Sequence, residues 1–219
     1  MGCLLKGGGG LYSRVVIGAV LLAAGSGSRM GNRPKSLIEL GGVSLIRRQL
    51  IALSGAGVDE VVVVLGHHAK EIEPEIQTFP VTIVYNPDPD QGQVSSQRIG
   101  LAALGGKLDA VIVALADQPL LNSQDITDLI SAFKKRPETS QVVFPFVDGE
   151  RGNPVIFDQG VREQILESDL NIGCRQWQSN HPEFVSPFIT GNRRYRVDLD
   201  TEEDIERFER ETGHQLKWP

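Results

Sequence analysis

The sequence predicts an α/β fold: a mostly parallel β-sheet covered by helices on both sides, with a β-rich insertion in its second half. Three observations carry this expectation. Short runs rich in valine and isoleucine recur along the chain, helical patterns stand between them, and a glycine- and serine-rich loop directly follows the first run.

That first run is Val15–Leu22, and further strands are expected at Glu60–Leu65, Val81–Tyr85, Ala110–Leu115 and Gln141–Phe146. Ser44 stands where it can cap a helix running to about Leu53, which Gly55 and Gly57 end. Ser123 stands likewise before a helix from Gln124 to about Lys135. Asp148-Gly149 between apolar runs signals a hairpin, so β structure is expected to leave the sheet there and return later. More helix follows. Val197-Asp198-Leu199-Asp200 reads as a strand end, and Thr201 can cap a last helix through about Glu211.

The 219 residues, 40% of them hydrophobic, suit one substantial core. Residues 1–13 hold five glycines and no apolar period, so they are expected to be a disordered extension or a tag remnant, leaving 14–219 as a single domain. Lys6 and Arg14 before the run Val15–Ala24 give it the look of a signal peptide. Cleavage there would discard the glycine loop, and the run has about half the length of a membrane span. Gly2 lacks the downstream Ser or Thr of a myristoylation motif. A net charge of −6 argues against a general nucleic-acid or anionic-membrane surface. Cys3 and Cys174 supply neither a disulfide framework nor a thiolate metal site, and a reducing cytoplasm fits them.

Ligands on such sheets sit at the carboxyl ends of the strands, which puts the loops after Leu22, Tyr85 and Leu115 on one rim. The first of these carries the most information. Gly25, Gly27 and Gly31 allow close backbone approach, Ser26 and Ser28 add hydroxyls, and Arg29, Arg33 and Lys35 add positive charge. Arg29 offers a planar fork to phosphate oxygens, and Lys35, set by Pro34, a point charge. This is the chemistry of a polyphosphate cradle. It is no P-loop, because Gly25 and Gly31 are too far apart and Asn32 stands where the lysine belongs. Nor is it a dinucleotide fingerprint, because Met30 occupies the third glycine's place and no acidic residue closes a second strand.

Other groups join the loop. Asp117, in Ala116-Asp117-Gln118-Pro119, emerges after Leu115 at the same rim and suits Mg²⁺, although a turn aspartate would look the same. Asp198 and Asp200 lie two apart and point the same way if extended. One could complete a metal site, Asp200 being the better fit to a capping or structural role. Gly92 permits close approach, while Ser95 and Ser96 stand at a helix start, where they can meet a base or ribose or serve as caps. His67 and His68 are adjacent and so point apart; they are expected to be loop histidines, not metal ligands. Trp177 and Trp218 read as packing or surface residues.

In order, Leu22-Ala23-Ala24-Gly25-Ser26-Gly27-Ser28-Arg29-Met30-Gly31, Pro34-Lys35, Gly92-Gln93-Val94-Ser95-Ser96, Ala116-Asp117-Gln118-Pro119, Gly152-Asn153-Pro154-Val155 and Asp198-Leu199-Asp200-Thr201 resemble the MobA-like nucleotidyltransferases. Among these the chain is most similar to molybdenum cofactor cytidylyltransferases, over roughly Val16 to Phe208. The resemblance implies a Rossmann-like three-layer αβα sandwich using Mg²⁺ and a nucleoside triphosphate to add a nucleotide to a phosphate-bearing acceptor, molybdopterin cofactor, with loss of pyrophosphate. It implies catalytic roles for Arg29, Lys35 and Asp117, metal binding by Asp117 and Asp198, and a nucleotide site of Ala23, Ala24, Gly25, Ser26, Lys35, Gly92 and Ser95. The Ala23-Ala24-Gly25 form points to CTP over GTP. Arg151, Gly152, Asn153 and Pro154, with Arg175, are expected to face the acceptor; many relatives carry histidine at the place of Asn153. A monomer or weak dimer, in transient contact with a molybdoenzyme or its chaperone, completes the expectation. A sugar-phosphate or alcohol-phosphate nucleotidyltransferase, a GTP-using guanylyltransferase and a nucleotide-binding regulatory module are the rival readings.

Overall fold

A computed structural model describes residues 14–219; the expectations for residues 1–13, Cys3 among them, lie outside it. The first strand, β1 (Ile17–Ala23), is buried along its whole length and pairs in parallel with β4 (Glu60–Leu65) on one side and β6 (Ala110–Leu115) on the other. Between β1 and β4 lie β2 (Glu39–Leu40), β3 (Val43–Ser44) and helix α1 (Leu45–Gly55). Helix α2 (Ala69–Ile76), strand β5 (Thr82–Tyr85) and helix α3 (Gln93–Ala103) precede β6. After it come α4 (Ser123–Lys134), β7 (Val142–Val147), β8 (Glu150–Arg151), β9 (Val155–Asp158), α5 (Gln159–Glu167), α6 (Cys174–Asn180), β10 (Val185–Ile189), α7 (Glu202–Thr212) and β11 (Leu216–Lys217).

The main sheet runs β10-β7-β9-β6-β1-β4-β5, with β8 attached to β7. Among these pairings only those of β9 and β8 are antiparallel. This is a Rossmann-like three-layer αβα sandwich. Alternation along β1 divides the core: Ala19, Leu21 and Ala23 face Leu50, Leu53, Ile72 and Leu129, and Val20 and Leu22 face Leu101, Val161, Ile165 and Trp177. Trp177 is thus the packing residue expected. Gly100 lets α3 lie close to the sheet, since a Cβ there would fall 2.4 Å from Val20 Cγ1. A third cluster, Met30, Ile38, Leu40, Leu45, Leu199 and Phe208, forms beside the small β11-β2-β3 sheet. Among the described residues no helix is long and apolar enough to cross a membrane.

The hairpin at Asp148-Gly149 forms as expected, both residues taking positive φ (51° and 83°). The chain then rejoins the sheet, because β9 inserts between β6 and β7. Several local expectations are corrected. Asn122 caps α4, with Asp125 completing a capping box, so Ser123 is the first helical residue. Ser44 stands at the N-cap of α1 but makes no capping bond; its hydroxyl points to Glu75. Residues 197–200 form no strand. A short 3₁₀ turn (Arg193–Arg196) precedes them, and Leu199 N–H donates to the Asp117 carbonyl in place of a ladder. Strand β10 escapes the sequence pattern because Pro187 interrupts it, which the sheet tolerates at an edge.

Candidate active site

The rim of the sheet opens into a cleft of about 600 Å³ bordered by the loops after β1, β4, β5 and β6. Ala23, Ala24, Gly25 and Ser26 line it where β1 ends. Gly25 has no positive φ, and a Cβ on it would meet no atom within 4 Å. Neither backbone strain nor packing explains the missing side chain; the open space beside it suits a ligand's close approach. Gly27 is constrained by the protein itself, with φ of 63° and Arg33 O only 2.0 Å from where a Cβ would stand. Its carbonyl accepts from Met30 and Asn32 N–H, and buried Met30 anchors the loop below.

The three loop cations part company. Arg33 lies 3.5 Å over the Trp218 ring and does not line the cleft, which corrects its reading as a third phosphate cation and gives Trp218 its packing role. Arg29 stays at the cleft, its Nη2 3.4 Å from Asp200 Oδ2. Lys35 begins a 3₁₀ turn (Lys35–Leu37) and reaches inward, Nζ standing 2.7 Å from both Asp117 Oδ2 and Asp200 Oδ1. Burial works to lower its pKa, but the two carboxylates outweigh that and hold it above its ordinary value. The lysine remains charged.

Asp200 therefore lines the cleft and does not cap α7, since Thr201 caps it with Asp204 closing the box; of its two expected roles the structural one remains, in its pairs with Lys35 and Arg29. Asp198 lines the cleft beside it. Burial, and then the charges of Asp117 and Asp200, raise its pKa above the usual carboxylate range. Asp117 Oδ1 is buried and has no hydrogen-bond partner. Three carboxylates and one lysine thus converge, with an acceptor oxygen left over. Among the described residues no group of three or more His, Cys, Asp or Glu forms a metal site by itself. Mg²⁺ held by one or two carboxylates together with waters and substrate phosphates does not require one.

On the far side, Gly92 at φ 88° begins α3 as its N-cap, so neither serine is a cap. Gln93 and Ser96 line the cleft. Ser95 does not; it and Ser96 take hydrogen bonds from Asn86 Nδ2, at 3.0 and 2.9 Å. His67 also lines the cleft, a feature missed because the loop after β4 was not counted with the rim. Its parallel pairing with β1 was the available signal.

Of the acceptor candidates, Asn153 alone borders this cleft. Its N–H donates to Tyr195 O at 2.9 Å, and the bond to Pro154 is cis. Gly152 packs so tightly that a Cβ would lie 2.7 Å from the same carbonyl, which also accepts from Gln118 Nε2 at 3.1 Å. Tyr195 O therefore ties the acceptor segment to the Asp117 loop. Arg151 lies over Phe144 at 3.8 Å and bonds Gln178 on α6. Burial, and then the nearby charge of Arg175, lower its pKa, so the two arginines form a separate basic pair.

The MobA-like NTP transferase domain family matches residues 19–184. A nicotine blue oxidoreductase from Paenarthrobacter nicotinovorans is 31% identical over 193 residues, 86% of this chain and 94% of that protein. The bifunctional protein GlmU of Francisella philomiragia subsp. philomiragia is 32% identical over 165 residues, 73% of this chain but 35% of GlmU, so the chain spans about a third of that relative. A solved nucleotidyl transferase from Methanothermobacter thermautotrophicus aligns with a TM-score of 0.71 at 27% identity, over 90% of this chain and 97% of that one.

Proposed function

The chain belongs to the MobA-like NTP transferase family, and from that premise we propose that it transfers CMP from CTP to the terminal phosphate of a molybdopterin-type cofactor. An oxygen of that phosphate attacks the α-phosphorus, the bond to the β-phosphate breaks, and pyrophosphate leaves. The observation that carries this reading is Lys35 set between Asp117 and Asp200 at the mouth of the glycine loop. Such a transfer needs positioned charge more than covalent help, and the cleft supplies charge of both signs.

Arg29 and Lys35 meet the triphosphate and the charge that develops on pyrophosphate, while Ala23 to Ser26 lie along its backbone side. Asp117 and Asp198 fit Mg²⁺: the unpartnered Asp117 Oδ1 and the crowded, half-buried Asp198 both gain from a cation. Bound there, the ion would neutralise phosphate charge. Gly92 and Ser96 are assigned to the nucleoside, with Ser95 acting through Asn86. Asn153 stands at the acceptor's entry; Arg151 and Arg175, which do not border the cleft, are assigned no contact with the reacting phosphate. CTP is proposed over GTP on the Ala23-Ala24-Gly25 resemblance.

The test is a matrix of CTP, GTP, ATP and UTP against molybdopterin-type, sugar-phosphate and alcohol-phosphate acceptors with Mg²⁺, reading pyrophosphate. Turnover of CTP with the pterin acceptor is expected; turnover confined to GTP sinks the cytidylyl assignment. The 31% identity to an oxidoreductase favours a second reading, electron transfer on the same scaffold. Redox turnover of nicotine blue, the compound in that relative's name, without pyrophosphate release from any pair, would select it.

A further inference from the structure

We propose that His67 and His68 form a clasp that sets the peptide orientation of the triphosphate loop, making them positioning residues for the phosphates. The proposal rests on the nucleotide reading above. Both histidines follow β4, and each ring meets a carbonyl of the glycine loop: His67 Nδ1 lies 3.2 Å from Ala24 O and His68 Nε2 2.9 Å from Ser26 O. The segments abut so closely that a Cβ on Gly66 would fall 2.6 Å from the same Ala24 oxygen.

A trans peptide points its C=O and the following N–H to opposite sides. Capturing the Ala24 and Ser26 carbonyls therefore turns the N–H groups of Gly25 and Gly27 away from the histidines. Among the described residues, Gly25, Ser26 and Gly27 donate no hydrogen bond to another backbone group. An anion site needs this arrangement, with donors free and carbonyl oxygens, which would repel phosphate, held elsewhere. Each ring's other nitrogen faces a carboxylate oxygen, so a ring that holds both partners donates from both nitrogens. His67 Nε2 lies 3.0 Å from Asp90 Oδ1, reaching the turn before Gly92, and His68 Nδ1 lies 2.9 Å from Glu71 Oε1. The Asp90 contact links the phosphate side of the cleft to the side assigned to the nucleoside.

The two rings use different nitrogens on the loop, which makes a crossed test available. An asparagine amide nitrogen stands near the place of Nδ1 and a glutamine amide nitrogen near that of Nε2. His67→Asn and His68→Gln should keep most of the wild-type affinity for inorganic tripolyphosphate and for Mg–CTP, measured by calorimetry. His67→Gln and His68→Asn should each weaken both by about tenfold, the scale of one lost hydrogen bond. Thermal unfolding of all four variants is followed in parallel. If a variant at position 67 fails to fold, the His68 pair alone decides, because His68 lies outside the cleft lining. Asn and Gln behaving alike at each position, or no loss at either, overturns the clasp while leaving the nucleotide reading intact. Wild-type protein that binds neither probe overturns the nucleotide reading and the clasp with it. Binding without turnover overturns the transfer reaction only.

Discussion

Replacing Lys35 by alanine removes the cation that stands 2.7 Å from both Asp117 and Asp200. Turnover should then fall by about 10² or more, the scale typical of a lost electrostatic stabiliser, as read from steady-state pyrophosphate release. Asp117→Asn should cost a similar factor, whereas Arg33→Ala, which loses only the stacking on Trp218, should leave pyrophosphate release near wild type. Cys174 offers a separate check. Burial pushes its thiol up to about 12, so at neutral pH it stays protonated and should resist alkylation until denaturant is added, as peptide mapping would show. Asp117 could be identified from the chain because it directly follows an apolar strand. Arg33 could not be told from Arg29, because a charge count does not reveal that Trp218 folds back over one of them. The capping role open to Asp200 failed for a related reason: two aspartates beside a helix start look alike until Thr201 and Asp204 are seen to supply the cap.

At the scale of elements, strand identity followed from composition, since β1, β4 and β6 are apolar on both faces and flanked by turns. Caps followed less well because Ser, Asn and Thr compete for the same position, and only the capping-box geometry selected Asn122 over Ser123. Asn122→Ala should therefore destabilise the protein by about 1 kcal/mol in denaturant unfolding, with Ser123→Ala nearly silent. The glycine that seats α3 is a stronger test of packing. Gly100→Val places side-chain carbon against Val20 and Val64 and should cost about 1–3 kcal/mol, the range for overpacking a well-filled core. Strand β10 and the insertion of β9 between β6 and β7 were beyond sequence reasoning, because Pro187 breaks the pattern and strand order is a property of the assembled sheet.

Across the whole molecule, the cleft is held together from a distance. Fully buried Asp125 completes the α4 capping box, pairs with Arg194 and accepts from Asn192, while its backbone carbonyl accepts from the Tyr195 hydroxyl. These contacts fix the segment that leads to Asp198 and Asp200, and Tyr195 O in turn meets Asn153 and Gln118. Asp125→Ala should destabilise the fold by about 3 kcal/mol, since it strips a partly buried arginine of its partner and the α4 capping box of the bond that Asp125 returns to Asn122. Where the variant remains folded, pyrophosphate release should fall, because the loosened segment carries Asp198 and also Asp200, which pairs with Arg29 and Lys35 of the glycine loop. The central claim is that this cleft transfers the nucleotidyl group of a nucleoside triphosphate to a phosphate-bearing acceptor, with loss of pyrophosphate. It is tested most directly by incubating the purified protein with Mg²⁺, CTP and a molybdopterin-type acceptor and quantifying pyrophosphate. Stoichiometric pyrophosphate and nucleotidylated acceptor, both abolished by Lys35→Ala, are expected. Pyrophosphate release from no combination of triphosphate and acceptor would contradict the account.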